Sequence, residues 1–288
     1  MTHPIYPCLW FNGQAKEAAA FYCDIFEKSE ITTETPMVVT FTLNGLKFMA
    51  LNGGPQYQAN PAISYYVYCG GEAVIKKLYE KLSENGKVLM ELGKYDWSGQ
   101  YAWVSDRFGV NWQLDISDIN SEQKIVPGLL FVNEKVGLVK KAISRYTGIF
   151  NPSKVLLEAP YPENASLPEG ALLFAQFSLL QTVFNAMSGP GKHDFDFSPG
   201  NSFVIDCESQ EEVNYYWDKL LGDGGREDRC GWLTDTFGIS WQVVPVRLGE
   251  LMSDPDREKA GRVMQAMLQM KKLNIAELEA AYNKPVTD

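Results

Sequence analysis

The sequence predicts an α+β fold of four βαβββ modules, arranged as two tandem domains with a helical extension behind them. Three observations predict it. An eleven-residue motif occurs twice at identical spacing, the hydrophobic period alternates between strand-like and helix-like in a fixed order, and 288 residues are enough for two cores of ordinary size. Hydrophobic residues at 45% and charged residues at 22% are the balance of a folded globular chain.

The duplicated motif is Trp103-Val104-Ser105-Asp106-Arg107-Phe108-Gly109-Val110-Asn111-Trp112-Gln113, answered by Trp232-Leu233-Thr234-Asp235-Thr236-Phe237-Gly238-Ile239-Ser240-Trp241-Gln242. Upstream, Asn60-Pro61, Ser64 and Cys69 correspond to Ser198-Pro199, Ser202 and Cys207, and Tyr22 with Ile25-Phe26 corresponds to Tyr146 with Ile149-Phe150. The expected organisation is a first domain over residues 1–117, a polar linker at 118–124, a second domain over 125–247 and a helical extension at 248–288.

Within the first copy, residues 6–11 read as a strand, and residues 14–26 as a helix because Ala15, Ala18, Ala19, Tyr22 and Phe26 fall on one face. Strands follow at 31–34, 38–43 and 46–51, the last two joined by Asn44-Gly45, a two-residue hairpin turn. The order then restarts: strand 63–69, helix 71–84, and strands near 88–91, 100–105 and 111–116, with Asp106 to Gly109 supplying turn chemistry. The second copy repeats the scheme, with helices near 136–147 and 210–221. Beyond Pro245, Ser253-Asp254-Pro255 starts a helix over 258–270 and Asn274 caps another over 275–282; their Met-rich face is expected to pack against the second domain.

A net charge of −10 argues against a nucleic-acid partner, which needs clustered Lys and Arg. No apolar run reaches bilayer-spanning length and no leader pattern opens the chain, so a cytoplasmic protein with no membrane partner is expected. The five cysteines are odd in number and widely spaced, and read as reduced thiols packed as small hydrophobes.

Pro7 to Ala15 with Glu17-Ala18, Phe21-Tyr22 and Ile25-Phe26, then Asn52-Gly53-Gly54-Pro55, resembles the PhnB-like family of the vicinal oxygen chelate superfamily, also labelled demethylubiquinone methyltransferase-like. So do Cys230 to Asp235, Trp241 to Pro245, and the stretch from Asp254 to Lys272. The resemblance implies glyoxalase/bleomycin-resistance-like domains whose paired modules curl sheets around a cleft. Two arrangements are open: one cleft per repeat, or a pseudo-dimer within one chain. A monomeric pseudo-dimer or a homodimer is expected.

Metal-dependent members of that superfamily hold a divalent ion with His and Glu side chains, one of them a Glu four positions after a Gly in the final strand. Those positions are Gln113 and Gln242 here, and a neutral amide is a poor ligand for a catalytic ion. Only His3 and His193 exist, neither inside a strand; no metal and no cofactor is expected. Methyl transfer has no support either, since the Gly-rich stretch 222–225 follows a helix rather than a first strand. Cys8 and Cys230 lack a histidine base.

The candidate pocket residues are Trp10, Asn52, Ser64, Trp103 and Gln113 in the first copy, and Asn133, Ser202, Trp232 and Gln242 in the second. Strand alternation sets Gln113 and Gln242 opposite Trp112 and Trp241, which then pack beneath the helices. Asp106 and Asp235 read as turn formers. Aromatic walls with a few amides suit a neutral, partly apolar small molecule bound without metal. The alternative is a metal-dependent lyase, isomerase or dioxygenase of the superfamily, and a third reading is a scaffold with closed clefts.

Overall fold

The computed structural model describes residues 5–116, 122–222 and 224–284. Four βαβββ modules follow one another. The first is β1 (Ile5–Phe11), α1 (Ala15–Ile25), β2 (Glu30–Glu34), β3 (Val38–Leu43) and β4 (Leu46–Asn52). The second is β5 (Ile63–Tyr68), α2 (Glu72–Ser83), β6 (Lys87–Tyr95), β7 (Ser98–Ser105) and β8 (Asn111–Asp115). The third runs β9 (Ile125–Val132), α3 (Val139–Ile149), β10 (Ser153–Pro160), β11 (Leu172–Leu179) and β12 (Thr182–Gly189). The fourth is β13 (Asn201–Cys207), α4 (Gln210–Leu221), β14 (Arg226–Glu227), β15 (Trp232–Thr234) and β16 (Ser240–Pro245). In every module the first strand lies parallel to the last, and the two middle strands follow outward by hairpin pairing.

Contacts divide the described residues into two compact units, Tyr6–Asn201 and the stretch from Ser202 onward with Ile5. Inside the larger unit, β5 pairs antiparallel with β9, so the second and third modules share one eight-stranded sheet, β10-β11-β12-β9-β5-β8-β7-β6. That sheet therefore joins the end of the first repeat to the start of the second. The helix α1 of the first module lies between its own strands and this sheet: Tyr22 stacks on Phe41 on one side and tilts against Trp112, 5.2 Å away, on the other. Trp112 is fully buried there, with Phe26 at 5.0 Å. Rings of this size dominate the apolar area that holds such layers together.

The recurrent Trp, Asp, Phe, Gly, Trp and Gln pattern builds the β7–β8 turn and anchors it. Asp106 Oδ1 accepts from the backbone N–H groups of Phe108 (2.8 Å) and Val110 (3.0 Å), which is the expected turn chemistry. Its Oδ2 reaches further, accepting from Trp112 Nε1 (2.8 Å) and from the Tyr22 hydroxyl (2.7 Å) of α1. Asp235 repeats the arrangement with Phe237 N, Ile239 N and Trp241 Nε1. Burial pushes the Asp106 carboxyl above the usual carboxylate range despite these bonds.

Three differences from the sequence expectation have local causes. The helix expected at 136–147 begins as a 3-10 turn over Asn133–Leu138, because the Val136 carbonyl is taken by Ser188 Oγ at 2.6 Å. Strands β14 and β15 are short, and the N–H groups of Cys230 and Gly231 bond instead to the carbonyls of Met270 and Lys271 at the end of the extension's second helix. A short helix, α5 (Val246–Met252), follows Pro245 directly; its two buried residues, Leu248 and Leu251, are too few to show a period. The linker expected at 118–124 falls largely outside the described residues, as does His3.

Helices α6 (Arg257–Gln269) and α7 (Ile275–Asn283) complete the chain. Asp256 caps α6 through Glu258 N and Lys259 N, one residue after Pro255, and Asn274 caps α7 through Glu277 N at 3.1 Å. Their apolar faces meet in a cluster of Leu248, Leu251, Val263, Leu273 and Leu278, with Met252, Met267 and Met270 packed against it. Val244 of β16 also joins it, so the extension packs on the fourth module as expected. Replacing Asn274 by Ala is expected to cost α7 about 1 kcal/mol, as for other lost caps, read as earlier amide hydrogen exchange at Glu277 and Leu278. Unchanged exchange there would show that packing alone holds the helix. Among the described residues no helix is long and apolar enough to cross a membrane.

Candidate functional site

Helices α2 and α3 cover one face of the eight-stranded sheet, and the other face carries the candidate site. Alternation along β5 places Ser64, Tyr66 and Tyr68 on that second face, and along β8 it places Asn111, Gln113 and Asp115 there. Cross-strand register brings Tyr66 beside Gln113 and Tyr68 beside Asp115, while β7 sets Trp103 beside Gln113 and Tyr101 beside Asp115. The floor is a closed hydrogen-bond network. Gln113 Nε2 donates to Ser64 Oγ at 2.7 Å and its Oε1 accepts from the Tyr101 hydroxyl, while the Tyr66 hydroxyl points to Met187 Sδ.

The third module completes the site. Asn185 Nδ2 donates to the Tyr68 hydroxyl at 3.0 Å, and Gln176 Nε2 reaches Asn185 Oδ1 at 3.0 Å. Tyr66, Tyr68, Tyr101 and Val126 are buried, and Met90, Tyr95, Trp103, Phe174, Val183 and Met187 pack around them only partly covered. A buried polar floor thus lies beneath apolar side chains that are only partly covered. Gly128 makes room for it: a Cβ there would lie 2.9 Å from the Tyr66 ring. Burial pushes the phenols of Tyr66, Tyr68 and Tyr101 up, that of Tyr68 to about 12, and the nearby Asp115 charge adds to each. All three remain protonated donors at neutral pH.

The structure thus brings together Ser64, Trp103 and Gln113 of the expected pocket. In the smaller unit it brings together their counterparts, with Gln242 Nε2 donating to Ser202 Oγ at 3.0 Å and Trp232 in register with Gln242. The other expected residues secure loops. Trp10 Nε1 donates to the Gly54 carbonyl at 2.8 Å, with its ring against Tyr57. Asn52 accepts from Ala15 N at the start of α1 and donates to the Pro36 carbonyl. Asn133 accepts from His193 N and donates to the Phe195 carbonyl, fastening the loop before β13.

The residues that the sequence reading missed are Tyr66, Tyr68, Tyr101 and Asp115 from the first repeat and Phe174, Gln176, Asn185 and Met187 from the second. A signal for the first group existed, because each stands two or four positions from Ser64, Trp103 or Gln113 on the same strand. The second group carries no such signal, since only the β5–β9 pairing brings it near.

These residues do not fit a divalent metal. Gln113 stands on the face where a carboxylate ligand would be needed, both ends of its amide are engaged, and no group of three His, Cys, Asp or Glu converges among the described residues. The His193 ring bonds the Pro190 carbonyl and lies against Phe195, in the loop rather than on the sheet. Burial pushes the Cys69 thiol up to about 12 and raises those of Cys23, Cys207 and Cys230, away from thiolate reactivity. Gly222 ends α4 with its N–H on the Asp218 carbonyl, so the Gly-rich stretch is a helix stop.

Paired βαβββ modules with helices on one face of the sheet place the chain in the class of glyoxalase-like folds. Within that class the chain belongs to the family described as 3-demethylubiquinone-9 3-methyltransferase, whose pattern matches residues 3–115 and again 123–244. It is 36% identical to a solved Bacillus cereus protein described as PhnB and as a 3-demethylubiquinone-9 3-methyltransferase, over 38% of this chain and 96% of that one, with a TM-score of 0.37. A Staphylococcus aureus protein is 33% identical over 41% of this chain and 99% of its own, with a TM-score of 0.19. Glyoxalase I from Zea mays shares the fold at 12% identity, covering 85% of this chain and 92% of its own, with a TM-score of 0.57. No curated protein matches the sequence.

Proposed function

We propose that the protein binds a small, partly apolar molecule in the recess of the eight-stranded sheet, without a metal. One observation carries this reading: half-exposed Met90, Tyr95, Trp103, Phe174 and Met187 surround a floor whose amides and hydroxyls already bond one another. A rim of that kind offers apolar contact, and the floor supplies orientation without a charge-matched anion site. The Trp103 indole N–H is buried and has no acceptor among the described residues, which suits a ligand carrying one. Burial holds the Cys23, Cys69, Cys207 and Cys230 thiols protonated, and binding rather than turnover is the reading. The name of the methyltransferase family brings no support for methyl transfer, because the strand orders are those of paired βαβββ modules and not of a doubly wound parallel sheet.

The test uses the uncharged dye N-phenyl-1-naphthylamine with chelator-treated protein. Wild type is expected to enhance its emission saturably, and Trp103→Ala is expected to weaken binding about tenfold, the cost of one well-packed aromatic contact. Re-addition of Mn, Ni or Zn should leave the titration unchanged. No saturable enhancement, or equal enhancement in the variant, would favour the closed scaffold; enhancement that required metal would restore the enzyme reading.

A further inference from the structure

We infer that Asn12 is a self-modification site: attack by the Gly13 nitrogen expels its side-chain amide as ammonia and leaves aspartate or isoaspartate between β1 and α1. The inference stands apart from the ligand-binding reading and concerns the covalent state of the chain. Four Asn-Gly pairs occur in the sequence, Asn12-Gly13, Asn44-Gly45, Asn52-Gly53 and Asn85-Gly86. Glycine lacks a Cβ, so the nitrogen that follows each of these asparagines is sterically open to the side-chain carbonyl carbon. The sequence marks all four alike, and the fold separates them.

Three of the pairs are protected. Asn44 (φ 47°) and Asn85 (φ 58°) are left-handed turn residues. In that region ψ is also positive, about +47°, which turns the following nitrogen away from the residue's own side chain. Ring closure there requires ψ to rotate, and the surroundings oppose it. Asn44 and Gly45 close the hairpin in which Leu43 pairs with Leu46, while the Gly86 N–H donates to the Ser83 carbonyl at 3.0 Å. Asn52 is held by its amide, whose oxygen accepts from Ala15 N at 2.9 Å and whose nitrogen donates to the Pro36 carbonyl at 2.9 Å. Gly53 is fixed as well, since a Cβ on it would lie 2.2 Å from the Trp10 ring.

Asn12 has none of these restraints. Asn12 and Gly13 are both exposed, and Asn12 is outside the left-handed region. Among the described residues neither the Asn12 amide nor the Gly13 N–H has a hydrogen-bond partner. The space around Gly13 is open, with nothing within 4 Å of a Cβ built there. The Gly13 nitrogen forms a bond to Asn12 Cγ, gives up its proton and expels ammonia. Water then opens the resulting five-membered imide, so one water enters for each ammonia released. Opening at one carbonyl gives aspartate, and opening at the other routes the backbone through Cβ and gives isoaspartate. Either product adds one negative charge just before α1. Isoaspartate also lengthens the link to Ala15 by one backbone atom, beside the bond that Ala15 N makes with Asn52.

The experiment ages the full chain at mildly alkaline pH in heavy-oxygen water and follows the four Asn-Gly peptides by mass, against a sample taken at the start. A parallel sample is held unfolded in guanidinium. In the folded chain the peptide containing Asn12 is expected to convert about tenfold faster than those containing Asn44, Asn52 and Asn85, a barrier difference of about 1.4 kcal/mol. In guanidinium the four should convert at comparable rates, because the protection belongs to the fold. Asn12→Gln, at an exposed position, should abolish the main acidic form that anion exchange resolves from the aged folded chain. The inference is overturned by equal rates in the folded chain, by earlier conversion of another pair, or by a folded chain that stays intact while the unfolded one converts. An Asn12 lead that persists unchanged in guanidinium overturns it too. None of these outcomes depends on whether the protein binds the dye.

Discussion

Asp106→Ala is expected to be among the most damaging single substitutions in the larger unit. It would leave the N–H groups of Phe108 and Val110, the Trp112 indole and the Tyr22 hydroxyl without their common acceptor, in a place 4% exposed. Removing one partner from a buried charged network costs about 3–5 kcal/mol, because the remaining donors stay buried and unpaired. A shift of that size in the urea midpoint, followed by tryptophan emission, is the expected result. A midpoint within experimental error of wild type would mean that water replaces the carboxylate at no cost, and that the turn is held by packing.

The same carboxyl gives a pH signature. Burial raises its folded-state pKa, so its contribution to stability is fully present below the unfolded value and is lost as pH rises through the raised folded value. The stability of wild type relative to Asp106→Asn should therefore be greater at pH 4.5 than at pH 7.5. A constant difference, or one of opposite sign, would show that the hydrogen bonds outweigh desolvation. Comparison with the Asn variant removes the titration of the other carboxylates, which the two proteins share.

Gly200→Ala is the second large effect. A Cβ at Gly200 would lie 1.9 Å from the Gln58 carbonyl oxygen and 2.6 Å from Ala59 N, both backbone atoms that cannot rotate away. The two loops meet at this point, with Trp10 N donating to the Gly200 carbonyl and Asn60 Nδ2 to the Asp196 carbonyl. Forcing them apart is expected to cost roughly 3 kcal/mol, the upper part of the range for overpacking, and to open residues 55–61 to proteolysis. Gly99→Ala is the control: nothing lies within 4 Å of its Cβ and its backbone is not left-handed, so it should be neutral or slightly stabilising. Equal sensitivity of the two variants would show that the loop contact is incidental.

The choice between these substitutions illustrates what local pattern reveals. Asp106 is recognisable as a turn residue from Asp-Arg-Phe-Gly alone, because an Asp commonly bonds backbone N–H groups just ahead of it. Its link to Tyr22, 84 positions away, has no local trace. Gly200 is one glycine among 24 in the sequence, and only the approach of residue 58 makes it indispensable.

The sequence by itself determined the four modules, because each is set by periods of two and 3.6 that a single strand or helix imposes on its own residues. It determined the helix α4, the capped helix α7 and the alternation that sets Gln113 opposite Trp112, and it put a neutral amide where a metal-binding relative needs a carboxylate. Tertiary structure decided which edges meet. A first strand such as β5 has an open side after its own module closes, and its period does not say which strand will fill it. The pairing with β9 is set by fit across the sheet: Gly128 stands opposite Ser64 and leaves the space that the Tyr66 ring occupies. That one partnership carries Phe174, Gln176, Asn185 and Met187 of the second repeat to the tyrosines of the first. The cluster is therefore a property of two distant segments whose complementarity appears only when both are folded.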